Sequence, residues 1–226
     1  MLSRYDFDRM AHEYDAWFST AAGTEYDNAE KKMVEDALKD HKPLPGRKML
    51  EVGCGTGHWC LFFEGLGMEV KGIDISKKMI EKAREKNLNA QLLEGDAHKL
   101  PFEDGEFDFT SAITTLEFAE DPEKMLKEMY RCTRKGGVVL VGALNQEPPL
   151  GKVRGDKLEE PYNHAEFFDV VQLKKMLKDL GLKDVKVEEG CYISSRPMQV
   201  EAVTQATSMD KPVSARGDFI VAKGVK

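Results

Sequence analysis

The sequence predicts an α/β protein in which apolar strands alternate with amphipathic helices, and three observations carry that class. Lys48-Met-Leu-Glu-Val52 is a short run with Met49, Leu50 and Val52 apolar, the pattern of a buried parallel strand. It leads into Gly53, Gly55 and Gly57 and then a helix-like segment; such glycines let the backbone turn tightly and approach a ligand that a Cβ would obstruct. Strand-like runs then recur at 68–74, 90–94, 107–113 and 138–141, separated by helical patterns.

Length and composition narrow this class. The 226 residues suffice for one α/β domain with elaborations and are short for two. We therefore expect a single domain, 1–226: a helical cap segment (1–45), a core (46–145), an insertion on the substrate side (146–168), and a last helix with closing strands (169–226). With 41% hydrophobic and 32% charged residues the chain reads as globular, and no apolar run approaches the ~20 residues of a membrane span. The polar amino terminus lacks the apolar stretch of a signal peptide, which makes the cytoplasm the expected location. A net charge of −7 argues against a nucleic-acid partner, whose phosphates need Lys and Arg. Cys54, Cys60, Cys132 and Cys191 form no Cys-x-x-Cys pair, so neither a metal site nor a disulfide framework is expected.

Along the chain, residues 2–20 carry Met10, Tyr14, Trp17 and Phe18 near helical spacing, an aromatic stripe for packing. Residues 25–41 read as a charged helix with Met33, Ala37 and Leu38 inward, ending at Pro43-Leu-Pro-Gly46. The segment Trp59–Leu66 is a helix stopped by Gly67, and Met68–Asp74 is a second strand. Asp74 stands about where nucleotide-binding α/β folds place a carboxylate for the ribose hydroxyls, while Ser76 supplies the next helix's cap. A Lys-rich helix over 77–86 and the strand 90–94 lead to Gly95-Asp-Ala-His98. After the strand 107–113 comes Thr114-Thr-Leu-Glu-Phe118, which would floor a pocket. Asp121-Pro122 opens a helix with Met125, Met129 and Cys132 on one face, expected to end at Gly136-Gly137 before the strand Val138–Val141. Asp169 with Gln172 reads as a capping box before Val170, Leu173, Leu177 and Leu180, and Gly181 closes that helix. The strands Val185–Ile193 and Asp218–Lys223 come last, around a 195–217 stretch with no strong period.

The loop spacing is Gly-x-Gly-x-Gly, without the third glycine position of the dinucleotide fingerprint. With Glu51 before it, it resembles the first motif of the class I S-adenosylmethionine-dependent methyltransferases. Asp74, Gly95-Asp-Ala97, Lys135-Gly-Gly137 and the Phe7-Asp-x-x-Ala-x-x-Tyr-Asp-x-Trp17 pattern extend the likeness over nearly residues 5–190, closest to the small-molecule ubiquinone/menaquinone group. The resemblance implies a Rossmann-like, seven-stranded, mostly parallel sheet with an antiparallel last strand and helices on both faces. It implies S-adenosyl-L-methionine as donor and S-adenosyl-L-homocysteine as product. It assigns to the donor Tyr14, Glu51, Gly53, Cys54, Gly55, Gly57, Asp74, Ile75, Asp96, Ala97 and Thr114. In that assignment Asp96 accepts from the adenine amino group, the Ala97 N–H donates to the ring, and Tyr14 lies by the methionine end. The Asn/Asp-Pro-Pro-Tyr/Phe and Pro-Cys motifs of adenine, amide and cytosine methylases are absent, which disfavours those acceptors.

Displacement at a sulfonium methyl needs alignment and exclusion of water more than side-chain chemistry. A general base is an option, with His12, His58, Glu117 and His164 as candidates and none singled out by spacing. The acceptor is expected to be a small molecule, and the protein a monomer or homodimer. The alternatives are an adenosyl-binding regulatory protein without turnover, or a nicotinamide oxidoreductase, against which the loop spacing and Asp96 argue.

Overall fold

The computed structural model describes residues 3–146, 160–191 and 217–226. Strands β1 (Lys48–Val52), β2 (Glu69–Asp74), β3 (Gln91–Glu94), β4 (Phe107–Ile113), β5 (Thr133–Leu144), β6 (Lys183–Gly190) and β7 (Phe219–Val225) form one seven-stranded sheet in the order β3-β2-β1-β4-β5-β7-β6. β1 to β5 pair in parallel, and β7 runs antiparallel to both β5 and β6. The expected sheet is thus the observed one, with β7 alone running against the rest.

Among the described residues five α-helices cover it: α1 (Ala21–Leu38), α2 (His58–Gly65), α3 (Lys77–Arg84), α4 (Pro122–Cys132) and α5 (Val170–Asp179). Period-two alternation within each buried strand splits the core into two layers. Val139, Val141 and Ala143 of β5 join Met125 and Met129 of α4 and Leu173 and Leu177 of α5. Val138 and Leu140, on the opposite face, join Leu38 of α1, Phe63 of α2 and Ile80 of α3. The caps read from sequence are present: the Ser76 hydroxyl accepts the Met79 N–H (3.1 Å), and Asp121 accepts that of Lys124 (2.9 Å). Asp169 and Gln172 form the reciprocal capping box.

Several boundaries differ. Residues 3–20 form two separate 3-10 turns, Phe7–Arg9 and Tyr14–Ser19, instead of one aromatic-striped helix. Their polar side chains are tied to the body of the protein, with Asp8 bound at α3 and Asp15 at Thr56, and these ties set the path of the chain. α1 begins four residues before its expected start, because Thr20 caps it through the Gly23 N–H (2.9 Å). α4 ends at Cys132 and not at Gly136-Gly137. The chain turns into β5 at Thr133, whose hydroxyl donates to the Met129 carbonyl (2.7 Å), and Gly136 (φ +74°) lies inside a strand with a register shift. β6 stops at Gly190, short of the expected Ile193, because the next residue, Cys191, turns to φ +64° and leaves the extended backbone; residues 192–216 lie outside the described residues, as does Arg154 of the insertion. Among the described residues no helix is long and apolar enough to cross a membrane.

Candidate functional site

The carboxyl ends of β1, β2 and β4 open onto a cavity of about 830 Å³, a figure that includes the open solvent at its mouth. Its floor begins with the glycine loop. A Cβ on Gly53 would lie 2.0 Å from Thr115, and one on Gly57 2.5 Å from Leu88, so packing alone requires those two glycines. Gly55 (φ +51°) is different: its Cβ would meet nothing within 4 Å, because it faces open space in the cavity. That is the signature of backbone left bare for a ligand.

At the end of β2, Asp74 holds this loop in place. One carboxylate oxygen accepts the Gly55 N–H (2.8 Å), and the other accepts that of Ser76 (2.8 Å). With a third backbone N–H, that of Ile75, also directed at it, the carboxylate keeps acceptor capacity for a further donor. Burial raises the Asp74 carboxyl above its ordinary value despite these bonds. Ile75 completes this wall.

A second acidic corner follows β3. Asp96 and Ala97 line the cavity together with His98. Asp96 Oδ1 accepts both the His98 N–H (2.8 Å) and His98 Nδ1 (2.7 Å), and His98 Nε2 accepts the Asp121 N–H (3.2 Å). The third wall comes from Thr114, Thr115 and Phe118 after β4. Thr114 is held at φ +48°, a strained conformation for a β-branched residue, and its N–H donates to the Gly142 carbonyl (2.7 Å).

Phe7, Tyr14 and Phe18 of the amino-terminal segment roof the cavity. Polar clips fix this roof. Asp8 accepts from the Ser76 hydroxyl (2.5 Å) and the Lys78 N–H (3.1 Å), and Ser76 holds its carboxyl below the usual range. Asp15 accepts from Thr56 (2.6 Å) and pairs with Lys86 (2.8 Å). Phe18 stacks on His58 at 3.8 Å, and His58 Nε2 lies 2.6 Å from Asp27 of α1. Burial lowers the His58 imidazole's pKa and raises that of the Tyr14 phenol, which stays a hydroxyl donor.

The structure therefore brings Tyr14, Gly53, Cys54, Gly55, Asp74, Ile75, Asp96, Ala97, Thr114 and His58 onto one cavity. It does not bring Glu51 or Gly57 to the lining. Glu51 is fully buried beneath the loop, where it accepts from the Ser111 hydroxyl and the Ile113 N–H, and burial pushes its carboxyl up to about 8. The Cys54 thiol is raised by its hydrogen bond with Cys60 and by burial, which makes it a packing group. Of the general-base candidates only His58 lines the cavity. His12 is exposed beside Glu13, His164 is exposed against Tyr5, and the buried Glu117 accepts the Leu144 N–H (2.6 Å). The expected pocket floor 114–118 supplies Thr114, Thr115 and Phe118 to the lining, whereas His98 has no role in the sequence reading; the Asp-x-His spacing directly after a strand is the signal available for it. Among the described residues, no group of three His, Cys, Asp or Glu side chains could hold a metal ion.

Comparison with known proteins agrees with this geometry. Residues 50–141 match the family model described as "Methyltransferase domain". The chain is 36% identical over 188 residues to an uncharacterised protein of Methanocaldococcus jannaschii, covering 82% of this chain and 85% of that one. It is 32% identical over 177 residues to a demethylmenaquinone methyltransferase of Staphylococcus aureus, covering 66% and 73%. A solved structure from Thermotoga maritima, described as a SAM-dependent methyltransferase and possible histamine N-methyltransferase, superimposes with a TM-score of 0.73 at 29% identity, covering 97% of this chain and 98% of that one.

Proposed function

This chain belongs to the class I S-adenosylmethionine-dependent methyltransferases of the ubiquinone/menaquinone-like group, and on that premise we propose that its methyl acceptor is a small molecule methylated by direct displacement. The observation that carries the proposal is the roof. Phe7, Tyr14 and Phe18 line the cavity, and the segment that carries them is clipped down through Asp8 and Asp15, an arrangement that suits a compact acceptor. The net charge of −7 points the same way, since a nucleic-acid acceptor would need a basic surface.

The residues present fit the donor. The bare backbone at Gly55 admits close approach, Asp74 keeps acceptor capacity for ribose hydroxyls, and Asp96 Oδ2 accepts no hydrogen bond from the described residues, which suits an adenine amino group. Ala97 and Tyr14 line the same cavity, which supports a role for the Ala97 N–H at the ring and for Tyr14 at the methionine end. The bound donor supplies an electrophilic methyl and its own leaving group. The chain's part is to fix the line of approach and exclude water, and the aromatic roof does both. His58, the general-base candidate on the cavity, has Nε2 committed to Asp27 and its ring to Phe18, an arrangement that suits anchoring α1 and the roof to the loop.

The test is transfer of isotopically labelled methyl from the donor into a cell extract passed over a size cut-off filter. Label in the low-molecular-weight fraction is the expected result, and fractionation then identifies the acceptor. The S. aureus relative's name makes a demethylated quinone the first pure compound to assay, and the T. maritima description makes histamine the second. Label retained only with protein or RNA would overturn the small-molecule reading.

A further inference from the structure

We propose that His98 is a positioning residue that sets the donor-base specificity of this enzyme by locking Asp96 in one orientation and leaving a single oxygen to read the base. The proposal rests on the reading that Asp96 meets the adenine amino group. His98 is 6% exposed and lines the cavity beside Asp96 and Ala97. Its two ring nitrogens have partners of opposite kind. Asp96 Oδ1 is an acceptor 2.7 Å from Nδ1, and the Asp121 N–H is a donor 3.2 Å from Nε2. These partners select the neutral tautomer with the proton on Nδ1.

The consequence falls on Asp96. Its Oδ1 accepts two N–H groups, from the backbone and the ring of His98, and is saturated. Oδ2 accepts none from the described residues, and Asp96 is one of the residues that line the cavity. The backbone bond, two residues along the chain, is a single restraint on the carboxylate's rotation; the ring bond to the same oxygen adds a second, from a different direction. A fixed, acceptor-only oxygen favours a base that offers N–H₂ and disfavours one that offers C=O. Asp121 is also the N-cap of α4, and Met125 of that helix lines the same cavity, so His98 ties the base-reading corner to a core helix.

Two substitutions separate the bonds. His98→Asn keeps an N–H donor at the Nδ1 position and loses the Asp121 bond, whereas His98→Gln keeps an acceptor at the Nε2 position and loses the Asp96 bond. The measurement is the dissociation constant, by calorimetry, of S-adenosylhomocysteine and of its hypoxanthine counterpart, S-inosylhomocysteine. Wild type is expected to prefer the amino base, and H98N to keep that preference within about threefold. H98Q should lose about tenfold of it, the scale of one hydrogen bond to a charged group. Equal loss in H98N and H98Q, or none in H98Q, overturns the positioning role. Asp96→Asn tests the underlying reading: it should reverse the preference toward the hypoxanthine base, and an unchanged preference would remove Asp96 from base recognition and the proposal with it. A readout that needs no variant is the nitrogen NMR spectrum of the wild-type imidazole, where protonation at Nδ1 is expected and protonation at Nε2 sinks the proposal.

Discussion

Single residues in this cavity divide into those that the fold requires and those that a ligand requires, and the glycine loop shows how to tell them apart. Gly55 and Gly181 both sit at positive φ (+51° and +85°), and an added Cβ at either meets nothing within 4 Å. An alanine at each position should cost a similar ~1–2 kcal/mol of stability from the left-handed backbone. Only Gly55→Ala should also weaken donor binding, by at least about tenfold, because only that methyl enters the cavity. Thermal melts paired with donor titration check this, and equal donor affinity in the two variants would mean that the loop does not face the ligand. The loop, Asp74 and Asp96 were legible in the sequence because each is a residue type at a spacing, and spacing survives folding. For Glu51 the donor role is what the family resemblance implies. The structure puts its carboxyl on Ser111 and Ile113, since a residue in mid-strand points into a core and the sequence does not show which core.

At the scale of elements, the sequence marked strands and helix starts well, because alternation and caps are local. Asp121-Pro122 and the Asp169–Gln172 box fall where they were expected. What it missed was set by tertiary ties. The aromatic spacing of residues 3–20 suggested one helix, yet the segment is drawn over the cavity by Asp8 and Asp15, which bind groups far along the chain. That makes the roof an element held to the body of the protein mainly by polar ties, of which those of Asp8 and Asp15 are two. Asp8→Ala removes its clip to α3 and should speed donor dissociation about fivefold, the kinetic equivalent of one hydrogen bond of ~1 kcal/mol. The global melting temperature should shift only slightly. Stopped-flow displacement of bound donor measures the rate, and an unchanged rate would show that Asp8 does not hold the roof. The end of α4 was missed for a related reason: Gly136 looked like a helix stop but serves a strand irregularity that only the pairing with β4 reveals.

For the molecule as a whole, buried carboxyls set the response to pH. Burial pushes Glu51 and Glu30 up to about 8 from an ordinary value of 4.5. A raised acid binds its proton more tightly in the folded state, so the stability it contributes is complete below 4.5 and is lost as pH rises through 8. His58 and His41 are lowered by burial, and their contribution is present above about 6.5 and lost as pH falls below it. The two slopes oppose each other between about 4.5 and 6.5, and from 6.5 to 8 the carboxyls dominate. Stability should therefore decline from pH 6.5 to 8.5, and Glu51→Gln should flatten that decline, as urea melts across the range would show; a parallel decline in both proteins would mean that Glu51 does not titrate in this window. The order of the sheet carries a different consequence. β7 follows β6 along the chain yet lies between β5 and β6, so β6 with α5 has no place in the sheet until residue 225 has been made. During translation the nascent chain must therefore wait with its donor-side strands assembled and a gap beside β5, exposing an unpaired edge to chaperones until β7 threads in.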